Sequence, residues 1–294
     1  RETPGLPVDM VASSDTSAGH EGASCAYALT FAKLLTETPF VADMREVLQT
    51  LEQAYGCPVD IEFAANFIEK GEYRINLLQC RPLQVRVDGG VALPSISVEE
   101  TDRILEARGA IIGPSRFVRL DRLIYVVPRL YAELPVNRRY EVARLLGRIN
   151  QAECGQGKTT ILLGPGRWGT SSPELGVPVH FSEISRVSVL CEIVAMRDNL
   201  TPDVSVGTHF LNELVEMDIL YMALFPKQQN NYLNEAFFLD APNALLRCAP
   251  EAERWQDVVR VIDVDGLVTG ERIVQLLADA GQQQASIFLA ERRP

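Results

Sequence analysis

The sequence predicts an α+β fold (mixed α/β), because helix-type and strand-type hydrophobic patterns follow one another along the chain. Apolar residues recur with helical period in segments 41–55 and 137–151. Short apolar or alternating segments of strand length lie elsewhere, at 159–163, 187–196 and 258–264. The chain has 294 residues, 47% of them hydrophobic, which is enough for one large domain or two modest ones.

Charge and composition exclude several classes of protein. The net charge of −11 argues against a general nucleic-acid-binding protein, which needs a basic face. No apolar run reaches the roughly 20 residues that span a bilayer, so we expect no membrane partner. The six cysteines show neither a Cys-x-x-Cys pair nor zinc spacing, and no secretory signal is visible. We therefore expect reduced thiols and a cytoplasmic location. Because the chain starts without Met, we also expect it to be part of a longer protein.

The N-terminal part predicts one helix followed by two strands. The helix spans residues 41–55 and ends at Gly56, a residue that readily adopts the left-handed conformation of a helix C-terminus. Strand-like segments follow at 60–63 and 77–83, on either side of a polar connection. If these strands pair, they form a β-hairpin that follows an amphipathic helix in the sequence.

A domain boundary is expected at Asp88-Gly89-Gly90, where a turn-forming sequence breaks the pattern. The predicted domains are residues 1–89 and 90–294. The elements predicted for the second domain are helices over 98–108, 137–151, 209–216 and 271–280, and strands or strand-like apolar segments over 117–127, 159–163, 187–196, 219–225, 258–264 and 285–289.

Polar side chains alternate along the two N-terminal strands. Asp60 and Glu62 share one face of the first strand, and Gln79 and Arg81 share one face of the second. If the strands pair, two carboxylates, an amide and a guanidinium meet on one surface. Oxygen donors suit Mg²⁺, and the planar guanidinium suits phosphate oxygens. A solvated hairpin face without any ligand explains the same alternation.

The sequence around these residues resembles a known enzyme family. The ordered segments are Tyr55-Gly56-Cys57-Pro58, Asp60-Ile61-Glu62-Phe63-Ala64 and Leu78-Gln79-Cys80-Arg81-Pro82-Leu83. Together they resemble the end of the nucleotide-binding domain of the phosphoenolpyruvate synthase/pyruvate phosphate dikinase family. The resemblance implies that residues 1–89 are the C-terminal portion of an ATP-grasp-like nucleotide-binding domain, with ATP and Mg²⁺ as cofactors.

The resemblance also implies roles for individual residues. Glu62 would be a Mg²⁺ ligand, Gln79 would contact the metal and the nucleotide, and Arg81 would bind a terminal phosphate oxygen and act in catalysis. In such enzymes ATP phosphorylates a histidine, which then phosphorylates pyruvate to give phosphoenolpyruvate. The family's Gly-Gly-x-Thr-[Ser/Cys]-His signature is absent from these 294 residues. We therefore expect this chain alone to be inactive in that reaction.

A second candidate site lies in the predicted second domain, where Gly164-Pro165-Gly166 is followed by Arg167 and Trp168. Free backbone N–H groups, the guanidinium and the indole suit a phosphorylated or nucleotide-like ligand, which makes Arg167 a candidate cofactor-binding residue. A tight turn with Trp168 in the core and Arg167 paired to an acid explains the same residues. The alternative function is thus a regulatory or ligand-binding module without catalysis, which recognises a phosphorylated small molecule or a partner protein. A purely structural domain in a homo-oligomer is a third possibility.

Overall fold

The computed structural model describes residues 8–14, 27–68, 72–82, 93–96, 98–152, 156–195, 204–267 and 272–291. Helices and strands are mixed throughout, so the predicted α+β class is confirmed. The chain divides into two compact units, unit 1 (residues 1–84) and unit 2 (residues 85–294). The expected boundary at residues 88–90 lies outside the described residues.

Unit 1 is small and contains one long helix. Its elements are α1 (Val8–Val11), β1 (Ala12–Ser14), β2 (Tyr27–Leu29), α2 (Ala32–Glu37), α3 (Phe40–Tyr55), β3 (Val59–Phe67) and β4 (Tyr73–Pro82). Strands β1 and β2 pair antiparallel, as do β3 and β4.

Helix α3 confirms the predicted amphipathic helix and packs on the β3–β4 hairpin. It ends at Gly56, which has a φ of 71° and donates its N–H to the Glu52 carbonyl. At the start of the helix, the ring of Phe40 lies 6.0 Å from that of Phe63 and 5.6 Å from that of Tyr73. These contacts identify the face of the hairpin that α3 covers.

The hairpin register shifts by one residue in its middle. Glu62 lies opposite Gln79, whereas the next residue of β3, Phe63, lies opposite Leu77. Leu78 is therefore the extra residue of a β-bulge in β4, and its side chain is exposed. Because side chains alternate along a strand, the bulge changes which face the residues after Leu78 occupy.

Unit 2 contains two large sheets and several helices. Its helices are α4 (Pro128–Glu133), α5 (Val136–Gln151), α6 (Phe181–Ile184), α7 (His209–Glu216), α8 (Glu235–Asp240) and α9 (Leu245–Cys248). Its strands are β5 (Arg103–Arg108), β6 (Ala110–Ile112), β7 (Arg116–Leu120), β8 (Arg122–Val126), β9 (Thr160–Pro165), β10 (Arg167–Trp168), β11 (Gly176–Val177), β12 (Val189–Ile193), β13 (Leu220–Leu224), β14 (Tyr232–Leu233), β15 (Val259–Asp263), β16 (Arg272–Asp279) and β17 (Gln284–Glu291). Short 3₁₀ helices cover Glu100–Asp102, Glu253–Trp255 and Val264–Gly266.

The main sheet of unit 2 is parallel at its centre. Its order is β15-β8-β9-β12-β13-β6; strands β8, β9, β12 and β13 run parallel, and the two edge strands run antiparallel to them. The second sheet is antiparallel, in the order β14-β5-β17-β16-β7. One apolar cluster joins the two sheets, and another joins the main sheet to the helices. Unit 2 is therefore a three-layer structure, which explains why β8, β12 and β13 are buried along their whole lengths.

Two predicted helices are wrong. Residues 98–108 form a short 3₁₀ helix followed by β5, and residues 271–280 contain β16. In β16 the buried residues alternate as Val274, Leu276 and Ala278, and the strand pairs with a neighbour on each side. This pairing satisfies the backbone of a segment whose apolar residues are also compatible with a helix.

The cysteines differ from the expectation at one position. Cys57, Cys80 and Cys191 are free thiols, but Cys248 is disulfide-bonded. The expectation of reduced thiols is therefore wrong at Cys248. Among the described residues, no helix is both long enough and apolar enough to cross a bilayer.

Candidate functional site

The face of the hairpin away from α3 carries the predicted polar residues. Phe63 and Tyr73 point towards α3, as their contacts with Phe40 show. Glu62 precedes Phe63 in β3 and so lies on the opposite face. Its cross-strand partner Gln79 also lies on this outer face. Gln79 and Tyr73 are an even number of positions apart in β4, but the extra residue of the bulge stands between them and places them on opposite faces.

Asp60 and Arg81 are the next cross-strand pair on the same outer face. The structure therefore brings together all four side chains that the sequence singled out. The Arg81 Nη2 atom lies 3.9 Å from Glu62 Oε1. When the Gln79 amide is oriented with its oxygen towards Arg81, this oxygen accepts hydrogen bonds from Nε at 2.6 Å and from Nη2 at 3.3 Å. Arg81 thus lies between a carboxylate and an amide oxygen.

These side chains remain accessible to a ligand. The exposed fractions are 35% for the Arg81 side chain and 42% for that of Glu62. An ion pair this exposed contributes little to stability. A polyphosphate can therefore compete for the guanidinium at small cost, with the planar fork of Arg81 offered to its oxygens.

The donor set of this face fits a magnesium ion. Glu62 and Gln79 provide oxygen atoms from directly opposite positions of two paired strands. In the described part of the chain, no group of three or more His, Cys, Asp or Glu residues could hold a metal by itself. Mg²⁺ commonly takes one or two protein ligands and completes its shell with phosphate oxygens and water. Glu62 and Gln79 are the residues that would hold it here.

The opposite face of the hairpin fixes it to α3. The Tyr73 hydroxyl donates a hydrogen bond to Asp43 Oδ2 at 2.5 Å. Burial and this bond raise the pKa of Tyr73 to about 12. At neutral pH the phenol is therefore protonated and remains a donor, which holds the strand that carries Arg81 against the helix.

The second candidate site lies in unit 2, directly after β9. The backbone N–H groups of Gly166, Arg167, Trp168 and Gly169 all donate within the protein. Their acceptors are Ile193 O, Leu175 O, Glu192 Oε1 and Val177 O, at 2.8 to 3.0 Å. These N–H groups are not available to a ligand, contrary to the expectation from the sequence.

Trp168 belongs to the core of unit 2. Its side chain is 1% exposed, and its Nε1–H donates to the Cys191 carbonyl at 3.3 Å. The glycines around it allow close approach: a Cβ on Gly166 would lie 2.2 Å from Leu175 O, and one on Gly176 would lie 1.9 Å from Arg167 O. The tight-turn interpretation therefore holds for Trp168, and the indole is not a ligand contact.

Arg167 differs from its neighbours in the turn. Its side chain is half-buried, and its Nε atom is buried without a hydrogen-bond partner. None of the ion pairs found among the described residues involves Arg167. The expected pairing with an acid is therefore wrong for this part of the chain.

Glu192 is a polar residue that the sequence did not single out. It is fully buried, and it accepts hydrogen bonds from Trp168 N, from Ser205 N and Oγ, and from the Tyr221 hydroxyl at 2.6 Å. Burial raises the pKa of Glu192, while the hydrogen bonds partly oppose this. The only signal in the sequence is an acidic residue inside an apolar strand, which indicates a buried carboxyl but not its partners.

Comparison with known protein families gives one match for the N-terminal part. Residues 10–96 match the family described as pyruvate phosphate dikinase, AMP/ATP-binding domain. The hairpin with Glu62 and Arg81 lies inside this match. Comparison with curated proteins and with solved structures gave no match.

The match confirms the resemblance to the phosphoenolpyruvate synthase/pyruvate phosphate dikinase family. It also supports a nucleotide as the ligand of unit 1, in an ATP-grasp-like domain. The roles of Glu62, Gln79, Arg81 and Arg167 stay predictions, as do the cytoplasmic location and the homo-oligomer.

Proposed function

We propose that unit 1 forms one wall of a Mg-ATP site in a phosphotransferase of the pyruvate phosphate dikinase type. The proposed reaction moves a phosphoryl group from ATP through a phosphohistidine to pyruvate. The observation that supports it is the cross-strand register, which pairs Glu62 with Gln79 and Asp60 with Arg81 on one accessible face. This face lies inside the segment that matches the AMP/ATP-binding domain.

Arg81 has the central role in the proposal. Its guanidinium, already oriented by the Gln79 oxygen, binds a terminal phosphate oxygen of ATP. During transfer, negative charge shifts among the phosphoryl oxygens and the leaving oxygen, and a fixed guanidinium stabilises that charge. A bound magnesium ion would neutralise charge on the phosphates, with Glu62 and Gln79 as its protein ligands.

Binding of Mg-ATP to the intact chain, measured by isothermal titration calorimetry, tests the proposal. Arg81→Gln removes the guanidinium and should weaken binding about tenfold or more, since a charge-assisted hydrogen bond contributes about 1.5–3 kcal/mol. Arg74→Gln is the matched control, because Arg74 lies on the same strand opposite Asn66, on the same outer face but at the far end of the hairpin. Equal affinities for the two variants would contradict the proposed phosphate contact.

The metal role is tested separately with Glu62→Gln. This variant keeps an oxygen donor but loses the charge, so ATP binding should depend less on Mg²⁺ than in the unchanged chain. The control is Glu52→Gln on helix α3. If Glu62→Gln leaves the magnesium dependence unchanged, Glu62 is not a ligand.

The route through a phosphohistidine is tested by assaying phosphoenolpyruvate. The chain has no Gly-Gly-x-Thr-[Ser/Cys]-His signature, so ATP and pyruvate should give no phosphoenolpyruvate with this chain alone. Formation of phosphoenolpyruvate that is sensitive to Arg81→Gln would show a direct transfer and contradict this route.

A further inference from the structure

Arg167 lies just beyond the carboxyl ends of the parallel strands of the main sheet. Strands β8, β9, β12 and β13 run in the same direction, and Arg167 follows the last residue of β9, Pro165, by two positions. The N–H of Gly166 donates to the carbonyl of Ile193, the last residue of β12, at 2.8 Å. In open sheets with parallel strands, ligands bind beyond the carboxyl ends of the strands.

The other arginines of unit 2 show what is unusual about Arg167. In the described part of this unit, each of the other buried or half-buried arginines has a carboxylate or backbone carbonyl partner. These are Arg103, Arg116, Arg119, Arg122, Arg138, Arg139, Arg144, Arg260 and Arg272. Several of them also have an unbonded Nε, but another nitrogen or an ion pair satisfies the guanidinium. Arg167 has no such partner among the described residues.

The Nε–H of Arg167 is shielded from water and has no acceptor, so this one donor is unfavourably buried. The guanidinium carries five donors in all and a fixed positive charge. A phosphate group that reaches the Nη atoms from solution would give them acceptors that no described residue provides.

The turn that carries Arg167 is held rigidly before any ligand arrives. Glu192, itself fully buried, accepts the Trp168 N–H at 2.9 Å, directly beside Arg167. The Arg167 N–H donates to Leu175 O at 2.9 Å, and Gly176 packs against the Arg167 backbone. A ligand therefore meets a fixed backbone, and little ordering entropy opposes binding.

A helix start next to the turn also favours an anion. Helix α7 begins at His209 with Thr208 as its N-cap, and the ring of Phe210 in its first turn would lie 2.4 Å from a Cβ on Gly169. The Ser205 hydroxyl connects the segment before α7 to Trp168 O and to Glu192. The partial positive charge of this helix N-terminus therefore lies beside the turn that carries Arg167.

We propose that Arg167 binds the phosphate group of a phosphorylated small molecule, at an anion site carried by unit 2 alone. The indole and the backbone N–H groups of the turn are already used, so the guanidinium is the main contact. A single charged contact predicts weak, saturable binding rather than tight recognition of a polyanion. The net charge of −11 further disfavours nucleic acid as the ligand.

The test is a titration of the intact chain, followed through its arginine Nε–Hε signals in ¹H–¹⁵N NMR spectra. The probes are inorganic phosphate, glycerol 3-phosphate, acetate and uncharged glycerol. Both phosphates should shift the Arg167 signal saturably in the millimolar range, acetate should shift it less, and glycerol should have no effect. Shifts that never saturate, or that are equal for phosphate and acetate, would overturn the proposal.

Two variants make the result specific. Arg167→Gln should weaken glycerol 3-phosphate binding about tenfold, as measured by calorimetry on a protein whose tryptophan fluorescence shows the native fold. Arg129→Gln should leave the affinity unchanged, since Arg129 is exposed and follows β8 at the same edge of the sheet. Equal affinities for the two variants would place the phosphate elsewhere. Because the NMR signal belongs to Arg167 and the compared variants lie in unit 2, phosphate bound at Arg81 in unit 1 would not give the expected result.

Discussion

Unit 1 and unit 2 are stabilised in different ways. In the described part of unit 1, the buried apolar side chains are Val11, Leu34 and Phe40, whereas in unit 2 both large sheets and the helices share two extensive apolar clusters. The unit that matches a nucleotide-binding domain thus has the smaller core. Its polar hairpin is accessible, while the candidate turn of unit 2 is built into a packed interior. We infer that local opening is easier in unit 1 than in unit 2.

Unit 1 also leaves apolar surface exposed. Helix α3 borders an apolar pocket of about 500 Å³ whose lining includes Leu35, Val41, Met44, Leu48 and Phe63. Phe63 places this pocket on the helix side of the hairpin, away from Glu62. Side chains that line such a pocket are already partly hydrated, so truncating them should cost much less than truncating a core residue of unit 2.

The largest effect is expected for Trp168→Ala in unit 2. Removing a fully buried indole should lower the free energy of unfolding of unit 2 by about 3–5 kcal/mol. Both tryptophans of the chain, Trp168 and Trp255, lie in unit 2, so the fluorescence of Trp255 during urea unfolding measures this unit in the variant.

Leu48→Ala in unit 1 is the control for this comparison, because Leu48 is 38% exposed. It should leave the unfolding of unit 2 unchanged when followed by tryptophan fluorescence. A loss of stability as large as that of Trp168→Ala would show that the two units do not unfold separately.

A somewhat smaller effect is expected for Asp263→Asn. Asp263 accepts hydrogen bonds from Arg122 Nε and Lys158 Nζ, each at 2.7 Å, and also pairs with Arg247. The side chain of Arg122 is only 2% exposed, so the substitution places a neutral amide instead of a carboxylate beside a buried cation. The free energy of unfolding should fall by about 3 kcal/mol at pH 7, as measured by urea unfolding.

The loss of stability in Asp263→Asn should also depend on pH. Burial opposes ionisation of Asp263, but hydrogen bonds and charges from Arg122 and Lys158 outweigh it and lower the pKa of this carboxyl. A lowered pKa stabilises the fold above the unfolded value of about 3.9, and this contribution is lost as the pH falls below it. The difference between the unchanged chain and Asp263→Asn should therefore shrink below about pH 4. A difference that stays constant down to pH 2 would contradict the ionic role.

The smallest effect is expected for Tyr73→Phe in unit 1. The variant loses the hydrogen bond to Asp43 and should weaken the contact between α3 and the hairpin by about 1 kcal/mol. Hydrogen exchange of the α3 amide groups measures this local opening.

The pH dependence of this contact follows from the Tyr73 phenol. Burial, with the bond to Asp43, raises the pKa of Tyr73 to about 12. A raised pKa means that the folded form holds the proton more tightly, so the contact is stable below the unfolded value of about 10 and weakens as the pH rises towards 12. Tyr73→Phe should lack this loss. If hydrogen exchange of α3 rises with pH equally in the unchanged chain and in Tyr73→Phe, another titratable group controls the opening of this contact.

The sequence predicted helix α3, the hairpin strands and most buried strands of unit 2, because their hydrophobic periods are unambiguous. The prediction failed at β5 and β16. The apolar residues of these two segments are compatible with a helical or a strand period, and pairing with strands distant in the sequence makes them strands. At the site, alternation predicted the polar face with Glu62 and Arg81. It could not show that Trp168 is buried by Glu192 and its neighbours, because that contact joins residues 24 positions apart.

The bulge at Leu78 has a consequence for how related sequences should be aligned. Tyr73 and Arg81 are separated by an even number of positions, yet they lie on opposite faces, because one extra residue stands between them. A relative that lacks this residue would keep the guanidinium on the outer face, because regular alternation then places Tyr73 and Arg81 on opposite faces without a bulge. An alignment gap at position 78 is therefore compatible with the phosphate contact, whereas a one-residue deletion elsewhere between Tyr73 and Arg81 that leaves the bulge in place would turn the guanidinium towards helix α3.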